Sequence, residues 1–139
     1  MIGVRDSVFY KDVQKELNYP FGNIYIFKNF VVSEMNAGIT YSWDVQGKII
    51  ANDVSLYLGT MGDDVIYISN RINSYAVVPT DWFKFFKNYK LKNYVIVSDN
   101  KIGALNSAIE NLFFNNKIKR FNSLYEAVNW VTTDLINVK

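Results

Sequence analysis

Residues 65–82 read VIYISNRINSYAVVPTDW. The opening VIYIS is a short apolar run, rich in β-branched and aromatic residues, and Gly62, Asp63 and Asp64 make a turn before it. The pattern predicts a strand over 65–69 that is buried on both faces, as parallel strands covered by helices are. A polar loop comes next: Asn70, Arg71, Ile72, Asn73, Ser74 and Tyr75. Pro79 presses Val78 into an extended shape and suits the first turn of a helix, which Thr80 or Asp81 can cap. In an open α/β sheet, ligands bind beyond the carboxyl ends of the strands, so this loop is where function is expected.

Working outward, the segments on either side alternate between helix and strand patterns. Upstream, residues 43–58 predict a helix with Asp44 as its cap and Gly59 at its end. Val45, Ile49, Ile50, Val54, Tyr57 and Leu58 form its apolar face. Residues 39–42 are a short extended piece. Residues 23–27 (NIYIF) and 30–34 (FVVSE) flank Lys28-Asn29 and predict a β-hairpin. Residues 13–19 suit an edge strand, and residues 1–20 as a whole carry little periodic signal. Downstream, a helix over 80–89 places Trp82, Phe85, Phe86 and Tyr89 in one stripe. A second buried strand covers 94–98 (YVIVS). A helix over 101–115 comes after it, capped by Asp99 or Asn100, with Ile102, Leu105, Ile109, Leu112 and Phe113 as its stripe. Residues 118–121 (IKRF) make the last strand. Ser123 and Glu126 then form a capping box for a final helix that buries Leu124, Ala127, Val128, Val131 and Leu135. The expected fold is a single α/β domain over residues 1–139. An N-terminal β-hairpin precedes helix–strand repeats, and the sheet is mixed and mainly parallel.

Composition narrows the chemistry. The chain has 139 residues, enough for one domain with a core. Half of them are hydrophobic and 17% aromatic, which excludes disorder. A net charge of +2 gives no ground for a nucleic-acid or anionic-lipid partner. Lys84, Lys87, Lys90, Lys92, Lys117, Lys119 and Arg120 read as solvated faces, because the rings between them fall at core spacing. The chain has no cysteine and no histidine, which excludes thiolate chemistry and removes the usual zinc ligands. Acid–base work would fall to Asp, Glu, Lys or Tyr. Asp63-Asp64 suits a turn and Asp99 a cap, and there is no Gly-rich phosphate loop or nucleophile elbow. The expectation is a non-enzyme without cofactor or metal. The N-terminus carries charge throughout and no segment is apolar enough to span a bilayer, so a cytoplasmic location is expected.

Three segments carry a family resemblance: FGNIYIFKNFVVSEMNAGITYSW near the start, YISNRINSYAVVP in the middle, and YVIVSDNKIGALNSAIENLFFNNKIKRFNSLYEAVNWV at the end. Over residues 21–135 the chain resembles the STAS domain, the SpoIIAA-like fold of bacterial anti-sigma-factor antagonists. It is most similar to the small stand-alone STAS-like proteins of bacteria. The resemblance implies a regulatory or binding module. Antagonists of that family carry a phosphorylatable serine in an Asp-Ser pair after the central strand. This chain reads SYAVVPTDW there, without such a pair, so no phosphoswitch is expected.

The candidate binding residues are Asn70, Arg71, Asn73, Ser74, Tyr75 and Thr80. Arg71 and the helix starts near Thr80 and Asp99 would favour an anion. The plainer reading is a solvated loop whose Asn and Ser side chains satisfy turn groups. The expected function is presentation of the 70–80 loop to a protein partner, with a homodimer as a further arrangement. The alternative is a carrier of a small apolar or anionic ligand, its cavity lined by rings drawn from Trp82, Phe83, Phe85, Phe86, Phe113 and Phe114.

Overall fold

The computed structural model describes residues 1–73, 75–78, 81–85, 89–99 and 118–137. After two short 3₁₀ turns come β1 (Lys15–Tyr19), β2 (Gly22–Ile26), β3 (Phe30–Met35) and β4 (Thr40–Tyr41). A π-helical turn (Trp43–Gly47) leads into α1 (Lys48–Leu58). The chain continues through β5 (Ile66–Asn70), β6 (Ala76–Val77), α2 (Trp82–Phe85), β7 (Asn93–Val97), β8 (Ile118–Phe121) and α3 (Leu124–Asn137). The main sheet has the order β1-β2-β3-β5-β7-β8. Its first two pairings are antiparallel and its last three parallel. The short loops at the start permit hairpins, whereas parallel neighbours need the longer connections found later in the chain. The predicted hairpin, central strand, second buried strand and last strand are all present, each within a residue or two of its expected bounds.

Strand side chains alternate between faces, and the two faces are covered by different helices. On one face, Tyr25, Phe27, Val32, Ile66, Ile68, Val95 and Val97 pack under Leu124, Ala127, Val128 and Val131 of α3. On the other, Ile24, Ile26, Val31, Met35 and Val65 pack under Ile50 of α1. Ser123 Oγ accepts the Glu126 N–H at 3.2 Å, so α3 starts at the predicted cap. Among the described residues no helix is long and apolar enough to cross a membrane.

Two expectations are corrected, and a segment that carried little signal gains a place in the fold. The N-terminal residues are part of the core: Val4 is fully buried beneath the α3 face. A single buried valine has no periodicity to announce it. Next, the cap of the first helix is Ser42, whose Oγ accepts the Val45 N–H at 3.4 Å, while Gln46 Oε1 accepts the Ser42 N–H at 2.8 Å. Asp44 instead pairs with Lys84 at 2.9 Å. Finally, the buried face of that helix is Gly47, Ile50, Val54 and Leu58, while Val45, Ile49 and Tyr57 are exposed. Val45 falls in the wide π turn, which shifts its phase relative to α1, whereas Ile49 and Tyr57 belong to α1 itself and stand beside the stripe of Ile50, Val54 and Leu58. Gly47 sits close under the Trp43 ring: a Cβ there would lie 3.0 Å from it, so the ring would have to give by a few tenths of an ångström. The expected helix over 101–115 with its stripe, and the placements of Phe86, Lys87, Phe113 and Phe114, lie outside the described residues.

Candidate functional site

The alternation of β5 divides the predicted loop cluster in two. The strand runs one residue further than expected, so Asn70 is its last residue and not a loop residue. It faces α3 and is 1% exposed. Its Nδ2 donates to Glu34 Oε2 at 2.8 Å and to the Ile2 carbonyl at 3.2 Å. The Val4 N–H donates to the same Glu34 oxygen at 2.8 Å. Burial pushes the Glu34 carboxyl above the usual carboxylate range, and the Val4 and Asn70 donors oppose that rise. Asn70 Oδ1 is buried without a partner among the described residues. This cluster ties the N-terminal segment to the sheet. Asn70 is therefore removed from the binding surface.

Arg71 turns the other way. Its Nε donates to Ser69 Oγ and an Nη to the Tyr94 hydroxyl, both at 3.1 Å. Its guanidinium lies over the Tyr75 ring, 5.9 Å from the centroid. The Tyr75 hydroxyl is 2.9 Å from Ser69 Oγ. Arg71 and Tyr75 are thus brought together, but half-buried and engaged with the sheet, where a loop open to a partner was expected. Asn73 is exposed and its Nδ2 donates to the Met35 carbonyl at 3.0 Å. Ser74 and Thr80 lie outside the described residues.

More phenols stand beside this network. Tyr67 stacks on Tyr94 with centroids 5.5 Å apart, and the Tyr41 phenol is buried beside Tyr67 and lines the same space. Desolvation by burial pushes both the Tyr41 and the Tyr67 phenol up. Neither is a base at neutral pH, because the anion would be stranded in a low-dielectric interior.

A cavity of about 80 Å³ opens on the α1 face next to these phenols. Val31, Val65 and Tyr67 form its floor, Ile50, Val54 and Leu58 one wall, and Tyr41, Val77 and Val78 another. The second wall exists because β4 and β6 form a separate two-stranded parallel ribbon, Tyr41 opposite Val77. At the rim, Trp43 meets Phe85 edge-on at 5.7 Å and Tyr89 at 5.9 Å. Asp81 stands there too, its carboxylate accepting the Trp43 N–H at 2.7 Å. Sequence reasoning included Phe85 among the cavity rings and missed Tyr41, Trp43 and Asp81. Asp81 read as a cap for the next helix, whereas its carboxylate accepts the Trp43 N–H of the π turn, 38 residues upstream. No local pattern could have revealed that pairing.

Among the described residues there is no group of three or more acidic, His or Cys side chains that could hold a metal ion. No family model, curated protein or solved structure matches this chain.

Proposed function

We propose that this chain is a non-enzymatic, cytoplasmic, STAS-like binding module that takes a small, mainly apolar molecule into the cavity on its α1 face. The carrying observation is that cavity, walled by aliphatic side chains and by rings from four separate segments. Ligand sites have this character, with apolar walls and few polar groups. An engineered cavity of about 150 Å³ takes up benzene or xenon. At about half that volume, this one suits a compact body. The STAS-like part of the reading rests on the order of elements, a hairpin followed by parallel strands with helices between.

The partner-presentation reading loses support for a physical reason. Arg71 and Tyr75 already make contacts within the fold, and recruiting them to a partner would mean giving those contacts up.

Methyl NMR with xenon as probe tests the reading. Shifts confined to the methyls that line the cavity, Val31, Ile50, Val54, Leu58 and Val65 among them, are expected, and Val54→Phe should abolish them by filling the space. Methyl signals that do not move at saturating xenon would refute the proposal.

A further inference from the structure

We infer that the cavity selects an ammonium group carried on a compact apolar body, with Asp81 as the residue that recognises the charge. The inference rests on the proposed binding role of the cavity and names its ligand class. Of the described residues that line the space, Asp81 alone is charged. Its side chain is 16% exposed, so it stands at the junction of cavity and solvent. One carboxylate oxygen, Oδ2, accepts the Trp43 N–H at 2.7 Å. The other, Oδ1, has Lys84 Nζ at 3.7 Å, beyond good hydrogen-bond reach. Lys84 is better placed on Asp44, at 2.9 Å. Oδ1 therefore keeps acceptor capacity beside an apolar space.

The rings around it fit the same ligand. Trp43, Phe85 and Tyr89 pack on one another at the rim, centroids between 5.4 and 5.9 Å apart. Aromatic faces attract cations, and a carboxylate beside them adds a charge-assisted hydrogen bond. An anion would meet the opposite field, with one carboxylate and no cation among the described lining residues. A neutral molecule would fill the apolar space but leave Oδ1 to water. A primary ammonium donates to Oδ1 and lays its apolar body toward Ile50 and Val54.

The test compares isopropylamine with its neutral counterpart propan-2-ol, both small enough for the space, by calorimetry or NMR titration of the whole chain at neutral pH. The amine is expected to bind about tenfold more tightly, the scale of one charge-assisted hydrogen bond. Asp81→Asn keeps an acceptor for the Trp43 N–H and should bring the two affinities level. Lys84→Gln removes the competing cation and should raise the amine's affinity alone. It also decides the matter if the Asp81 variant does not fold. Equal binding of amine and alcohol by the parent would overturn the ammonium assignment and leave the cavity reading standing. A preference that survives Asp81→Asn, or an amine affinity that fails to rise in Lys84→Gln, would overturn the role of Asp81. Binding of neither molecule would overturn the ammonium assignment, and the xenon experiment would then decide separately on the cavity.

Discussion

The two faces of the sheet solve the same packing problem differently. The α3 face is closed: Leu124, Ala127 and Val131 leave at most 2% of their surface exposed, and even its polar pair, Glu34 and Asn70, is sealed under the N-terminal segment. Among the described residues the α1 face is covered by one helix, a two-stranded ribbon and a cluster of rings, and these meet around a space they do not fill. A single helix stripe can close a sheet by matching its grooves, whereas three short pieces of different geometry leave a gap where they join. The closed face carries stability, and the open one has room for a ligand.

The largest effect expected from this contrast is on the closed face. Leu124→Ala should destabilise by about 2–5 kcal/mol, because it removes a fully packed side chain and creates a void. Val54→Ala, beside space that is already empty, should cost clearly less. Denaturant unfolding of both variants decides, and equal losses would erase the distinction between the faces.

Arg71→Ala comes next. It removes hydrogen bonds to Ser69 and Tyr94 and a ring contact with Tyr75, and should cost about 1–3 kcal/mol. A thermal melt unchanged from the parent would return Arg71 to the role of an exposed recognition residue.

The smallest effect concerns Glu34 and appears as a pH slope. Its carboxyl is raised by burial, so between the ordinary glutamate value and its own the native state binds more protons than the unfolded one. Stability is therefore greater below that window and falls as pH rises through it. Glu34→Gln should flatten this part of the stability–pH curve relative to the parent. If the parent grows more stable with pH through the window and the variant does not, Glu34 is held as a well-solvated anion and the closed face is less sealed than described.

Much of this architecture was legible in the chain. The apolar runs VIYIS and YVIVS, the NIYIF and FVVSE pair, and the Ser123/Glu126 cap each carry their signal within a few residues. The candidate site was legible only in part. Arg71 and Tyr75 do meet, but Asn70 falls on the opposite face, because a strand one residue longer reverses the direction of its last side chain. The stripe of α1 was drawn too wide: the π turn at Trp43–Gly47 takes Val45 out of phase, and Ile49 and Tyr57 of α1 itself face solvent.

The sequence by itself determined the class of the fold, the order of its elements, and the poverty of its chemistry: no histidine, no cysteine and no paired-carboxylate motif. Only the tertiary structure decided where the charged groups point. Asp81 serves a turn 38 residues before it, Glu34 binds the amide of Val4 30 residues away, and Tyr41 becomes a cavity wall through its pairing with Val77. Local patterns arise from backbone periodicity and neighbouring side chains, which the chain order preserves. A polar group's partner depends on which distant segment burial brings within about 3 Å, and no spacing along the chain encodes that.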